Sequence, residues 1–95
     1  MIVVFASTDA RNELIKKLRS DKSEFFTRLY NRNTVYRIWD EVVQKNILFL
    51  TDEEKRQVPW WIDAVNRYIK SYNDNWLASK ELSEATSAIL TAHNK

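Results

Sequence analysis

Apolar positions along this chain recur at helical rather than strand spacing. Val35, Ile38, Trp39, Val42 and Val43 fall at i, i+3, i+4, i+7 and i+8, the period of one buried helix face. They predict a helix over 34–46, capped by Asn33 or Thr34. Ahead of it, Ala10, Leu14, Ile15 and Leu18 make a narrow stripe over 9–19, with Thr8 or Asp9 as cap. Phe25, Phe26, Leu29 and Tyr30 mark a helix over 22–30, started by the Asp21-x-x-Glu24 pattern. Asn31-Arg32-Asn33 reads as a turn, since Asn bonds its own backbone.

The stretch Thr51–Tyr72 carries the strongest local signals. Thr51 and Glu54 form a capping box, and Asp52 and Glu53 add negative charge at the positive end of the helix dipole. Pro59 lacks the donor that a helix interior needs, at a cost of about 3 kcal/mol. The expectation is a short helix over 52–57, a break, and a longer helix with Pro59 in its first turn; one kinked helix is the alternative. Trp61, Ile62, Ala64, Val65, Tyr68, Ile69 and Tyr72 share one apolar arc. Trp60 falls outside that arc, on the flank of Asp63 and Arg67. Before the cap, Ile47-Leu48-Phe49-Leu50 is an apolar tetrad of the kind that plugs the bottom of a bundle.

After a turn-rich Ser71–Asn75, the positions Ala78, Leu82, Ala85, Ile89 and Ala92 form a small-residue seam on a last helix over 76–92. Small residues allow close helix packing. Packing within the chain's own bundle is expected, with a second protein or a second copy as the alternative. Residues 2–6, IVVFA, find no second strand to pair with and are read as part of an extended arm over 1–7. Pairing of this segment across a homodimer axis is the alternative. The fold expected is all-α: a compact bundle of four to five short helices in one domain over 1–95.

Composition narrows the function classes. The chain has no glycine, which removes phosphate-cradling loops, and no cysteine, which removes disulfides and thiolate metal sites. No apolar run approaches the length of a membrane span, so nothing is expected to cross a membrane; with no cysteine to constrain the compartment, a reducing cytoplasm is the simpler expectation. The net charge of +2 is unevenly spread. Residues 1–37 hold eight Lys and Arg against four Asp and Glu; the remainder holds seven against nine. A phosphate-contacting patch would draw on Lys16, Lys17, Arg19, Arg28 and Arg32.

The search for chemistry is negative. His93 is the only histidine and stands near the C-terminus. Asp40/Glu41 and Asp52/Glu53/Glu54 are explained by solvation and capping. Neither an enzyme nor a cofactor nor a metal is expected. Recognition remains. Four Trp, four Tyr and four Phe in 95 residues is a high aromatic load, and aromatics at the rim of a bundle suit a protein–protein contact. Trp60, Arg67 and Trp76 are the candidates for it. A direct nucleic-acid binder using the basic 11–37 helices is one alternative. A small phage or mobile-element inhibitor acting through the Trp60/Trp61 side is another.

The stretch from Glu24 to about Tyr72 resembles the Hha/YmoA family of small bacterial expression modulators. The likeness rests on EFFTRLYNRNTVYRIWDEVVQKN, then LTDEE, then WIDAVNRYI. It implies a four-helix domain that binds the N-terminal dimerisation region of H-NS-type nucleoid proteins. It also implies that basic surface residues add to DNA affinity, and that Asp63 matches the acidic residue turned toward the partner. Read without the family, Asp63 is one half of an i, i+4 pair with Arg67.

Overall fold

In a computed structural model of the chain, residues 8–21, 24–71 and 75–94 are described, the side chains of 27–29 and 75 excepted. The expected arm over 1–7 lies outside the described residues. Five α-helices follow in order: α1 (Thr8–Ser20), α2 (Glu24–Leu29), α3 (Arg32–Ile38), α4 (Asp52–Lys70) and α5 (Asn75–His93). A π-helical turn, Trp39–Val43, continues α3, and a 3-10 turn, Ile47–Phe49, precedes α4. Among the described residues all regular structure is helical, as the apolar spacing predicts. The radius of gyration, 12.6 Å, is close to the roughly 12.4 Å of a compact domain of this length.

The frame is the antiparallel pair α4 and α5. Three cross-helix bonds fix its register. The His93 ring lies 3.3 Å from Glu54 at one end, Trp61 Nε1 donates to Thr86 Oγ1 (3.1 Å) in the middle, and Arg67 pairs with Glu81 toward the other end. α1 packs on α4, α2 on α5, and α3 on both α1 and α5. The core holds Leu14 and Leu18 of α1, Phe26 of α2, Val35 and Ile38 of α3, and Trp39, Val42 and Val43 of the π-turn. Trp39 and Trp61 meet edge to face, their centroids 5.6 Å apart.

The seam residues Ala78, Leu82, Ala85, Ile89 and Ala92 are all buried, the first four in the main core cluster. The buried arc of α5 is wider than that seam, because Ser79, Ser83 and Thr86 are buried as well. Small hydroxyl side chains keep the helices close and can bond inside the protein, as Thr86 does with the Trp61 indole.

Four expectations need correction. α4 runs unbroken from Asp52 to Lys70 with Pro59 inside it. Pro59 is exposed, so the Lys55 carbonyl it leaves without a donor lies on the outer side, while Val58 and Trp61 on the inner side are fully buried. Their burial holds the helix through the proline. The cap of α3 is Asn31, not Asn33 or Thr34: its Oδ1 accepts from the Thr34 amide (2.8 Å) and the Thr34 hydroxyl (2.9 Å). The expected turn is thus the first turn of a helix.

The tetrad does not plug the bundle. Leu50 alone is buried, while Leu48 is 80% and Phe49 75% exposed. Asn46 caps the 3-10 turn by accepting from the Leu48 amide (3.0 Å), and so tight a turn carries its middle residues outward. Finally, Thr8 and Asp9 both lie within α1, so its cap falls outside the described residues.

The capping box is present in full. Thr51 N donates to Glu54 Oε1 (3.0 Å) and Glu54 N donates to Thr51 Oγ1 (3.1 Å). Glu54 is also buried, and His93 bridges its carboxylate to that of Glu41, at 3.3 and 3.4 Å. Burial alone would raise the Glu54 pKa. The Thr51 amide, His93, the charge of Lys45 and the Thr51 side chain outweigh it, and the carboxyl lies below its ordinary 4.5. Such a group adds stability above its unfolded value, and that stability is lost as pH falls through the lower folded value. Thermal melts across the acid range should therefore show a smaller loss below pH 4.5 in Glu54→Gln than in the parent chain. An unchanged pH profile would remove Glu54 from the acid sensitivity.

Candidate functional site

The candidate contact residues sort into two groups. Trp60, Asp63 and Arg67 follow one another at i, i+3 and i+7, so they form a single outward stripe along α4. Trp60 is 38% exposed, and Asp63 and Arg67 are exposed. The i, i+4 pair does not form. Arg67 reaches across to Glu81 of α5 instead, and no ion pair to Asp63 occurs among the described residues. One turn before Trp60, a shallow groove of about 460 Å³ lies between the two helices, lined by Glu53, Arg56, Gln57, Ala88, Thr91 and Ala92.

Trp76 stands apart from this stripe. It opens α5, is 54% exposed, and meets Phe25 of α2 at 6.1 Å. Lys80 lies over its ring at 5.6 Å, a cation–π contact that leaves much of the indole uncovered. Leu48 and Phe49, exposed on the 3-10 turn, belong to the tetrad that the sequence assigns to the interior rather than to a contact surface. Their apolar character argued for burial, and only the turn geometry places them outside.

The basic residues do not form one open patch. Lys16 and Arg19 are exposed on α1. Lys17 is committed inward: its Nζ donates to the Ser71 carbonyl (2.7 Å) and lies 5.7 Å from the centre of the Tyr68 ring. Arg32 donates from Nη2 to the Arg19 carbonyl (3.3 Å). The Arg28 side chain lies outside the described residues. Arg11, on the same helix as Lys16, holds Asp40 (3.3 Å) and ties α1 to the π-turn.

A cleft of about 330 Å³ opens where the end of α1, α2, the start of α3 and α4 converge. Leu18, Phe26, Tyr30 and Tyr68 provide its apolar wall, and Asp21, Asn31, Arg32 and Asn33 its polar rim. The Tyr68 hydroxyl donates to the Asp21 carboxylate. Burial first, then that hydrogen bond and the Asp21 charge, push the Tyr68 phenol upward, so it stays neutral and a donor. Sequence spacing gave no sign of this cleft, because its residues come from four elements.

Among the described residues no group of three or more His, Asp and Glu side chains is arranged to hold a metal ion. Likewise, no helix among them is long and apolar enough to cross a membrane. No family model matches the chain, and no curated protein or solved structure matches it either.

Proposed function

We propose that this chain is a non-enzymatic docking module that binds another protein through the Trp60–Asp63–Arg67 stripe of α4. The observation that carries the reading is the pairing of Arg67 with Glu81. It leaves Asp63 an exposed carboxylate without an ion pair among the described residues, one turn from a partly exposed indole. An aromatic anchor beside an unneutralised charge suits a partner that offers an apolar pocket and a cation. The groove lined by Gln57 and Ala88 extends the same surface.

The partner class that the family resemblance implies is an H-NS-type nucleoid protein, and gene-expression modulation is then the role. Two observations agree with that assignment. Asp63 is exposed with no ion pair among the described residues, and α4 is continuous through Pro59, as the corresponding helix is in the family resembled. Direct nucleic-acid binding is less well supported, since Lys17 is turned inward onto the Ser71 carbonyl and the Tyr68 ring, and Lys16 and Arg19 are left without it on α1.

The test is calorimetry of the purified chain with the dimerisation region of an H-NS-type protein. Trp60→Ala should weaken the complex about tenfold or more, in the range of interface anchors, with the helical circular dichroism unchanged. Asp63→Lys should weaken it further by meeting the partner's cation with a like charge. Absence of binding would remove the nucleoid-protein assignment. Binding untouched by both substitutions would remove the α4 stripe. Steeply salt-dependent retention of DNA, unaffected by Trp60→Ala, would favour the basic helices instead.

A further inference from the structure

The cleft between α1, α2, α3 and α4 shares no lining residue with the docking stripe, and its chemistry is of another kind. Its floor is made by Leu18, Phe26 and Tyr68, all buried. Phe26 and Tyr68 stand 6.0 Å apart with their planes tilted by 36°. Of the two hydroxyls among the lining residues, those of Tyr30 and Tyr68, the one on the floor, Tyr68, gives its hydrogen to Asp21. The floor is therefore apolar and aromatic.

The rim differs. Asn31 uses its Oδ1 to cap α3, which directs its acceptor inward and leaves the Nδ2 hydrogens for other partners. Arg32 spends one Nη2 contact on the Arg19 carbonyl and keeps the rest of its fork. Asn33 follows, exposed. Three donor side chains in succession thus edge an apolar floor. The ammonium of Lys17, over the Tyr68 ring, adds positive charge from the α1 side. Against these two cations stands one carboxylate, Asp21, already accepting from Tyr68.

We propose that this cleft binds a small aromatic carboxylate, its ring on the Leu18–Phe26–Tyr68 floor and its anion on Arg32 and the Asn31 and Asn33 amides. Apolar walls with a few placed polar groups are the usual make-up of small-molecule sites, and about 330 Å³ is at the small end of their range, roughly 300–1,000 Å³. One ring system with a short acidic arm matches that size. Arg favours carboxylates because its planar fork donates two parallel hydrogen bonds.

The test uses the isotope-labelled full chain and indole-3-acetate as probe, followed by two-dimensional amide NMR. Indole and acetate serve as the two halves. Saturable shifts should gather at Leu18 and Asn31–Asn33, and indole-3-acetate should bind about tenfold tighter than indole, the contribution of a charge-assisted pair. Arg32→Gln should remove most of that advantage while leaving the melting temperature and the affinity for indole itself unchanged. Equal affinity for indole and indole-3-acetate would overturn the anion assignment. Shifts centred elsewhere, or none that saturate in the millimolar range, would overturn the site. None of these outcomes bears on the α4 stripe, so the docking reading stands or falls separately.

Discussion

Trp61→Ala is expected to cost about 3–5 kcal/mol of stability, the range for deleting a buried tryptophan. The indole is fully buried at the centre of the α4–α5 pair. Its removal opens a cavity beside Trp39, ends an edge-to-face contact at 5.6 Å, and takes the donor from Thr86. The ring contact alone contributes about 0.5–1.5 kcal/mol beyond burial. Domains of this kind have about 5–15 kcal/mol in total, so the variant should unfold at much lower denaturant or fail to fold. Trp61→Phe separates the causes. It keeps a ring against Trp39 and loses the bond to Thr86, and should cost roughly 1–2 kcal/mol, a lost hydrogen bond plus a small void. Equilibrium urea unfolding of both variants checks the account. A loss below about 1 kcal/mol for the alanine variant would mean that the site collapses and that Trp61 is not the keystone its burial indicates.

The second large effect runs in the opposite direction. Pro59→Ala should stabilise the chain by about 2 kcal/mol, the helix-interior cost of proline of about 3 kcal/mol less the roughly 0.4–1 kcal/mol by which proline restricts the unfolded chain. Pro59 is exposed, so little packing is lost with it, and the new amide can donate to the Lys55 carbonyl. Urea unfolding should show a higher midpoint with an unchanged slope. A lower midpoint would show that Pro59 contributes to the fit of α4 against α5.

Pro59 also shows what could be read from the chain and what could not. Its local cost is plain in the sequence, and it predicts a break. The opposing term is the burial of Val58 and Trp61 on the far side of the same helix, which is a tertiary quantity. The seam Ala78–Ala92 was legible because a 3.6-residue period survives in the residue types. The burial of Ser79, Ser83 and Thr86 was not, because a hydroxyl is classed as polar until a partner such as the Trp61 indole is placed beside it. Asp63 and Arg67 looked like a pair, since intrahelical spacing is visible in sequence and a competing Glu81 on another helix is not. Leu48 and Phe49 were misplaced for a related reason: composition records that they are apolar, and turn geometry decides where they point.

The cleft is the extreme case. Leu18, Asp21, Asn31–Asn33 and Tyr68 are scattered over much of the described chain and carry no common motif. Only the docking of α1 on α4 and the placement of α2 and the start of α3 gather them. By contrast, the exposure of Trp60 followed from its place outside the apolar arc, a purely local argument.

The way the early helices lean on the late ones has a bearing on synthesis. α1 rests on α4, α2 on α5, and α3 on α5 and α1, so the first half of the chain emerges from the ribosome before its supports exist. Phe26, Val35, Ile38 and Trp39 must then wait in a nascent chain without their final neighbours. Assembly is complete only once the α4–α5 hairpin has been released, and the interval before that is when the chain is open to chaperones and to self-association.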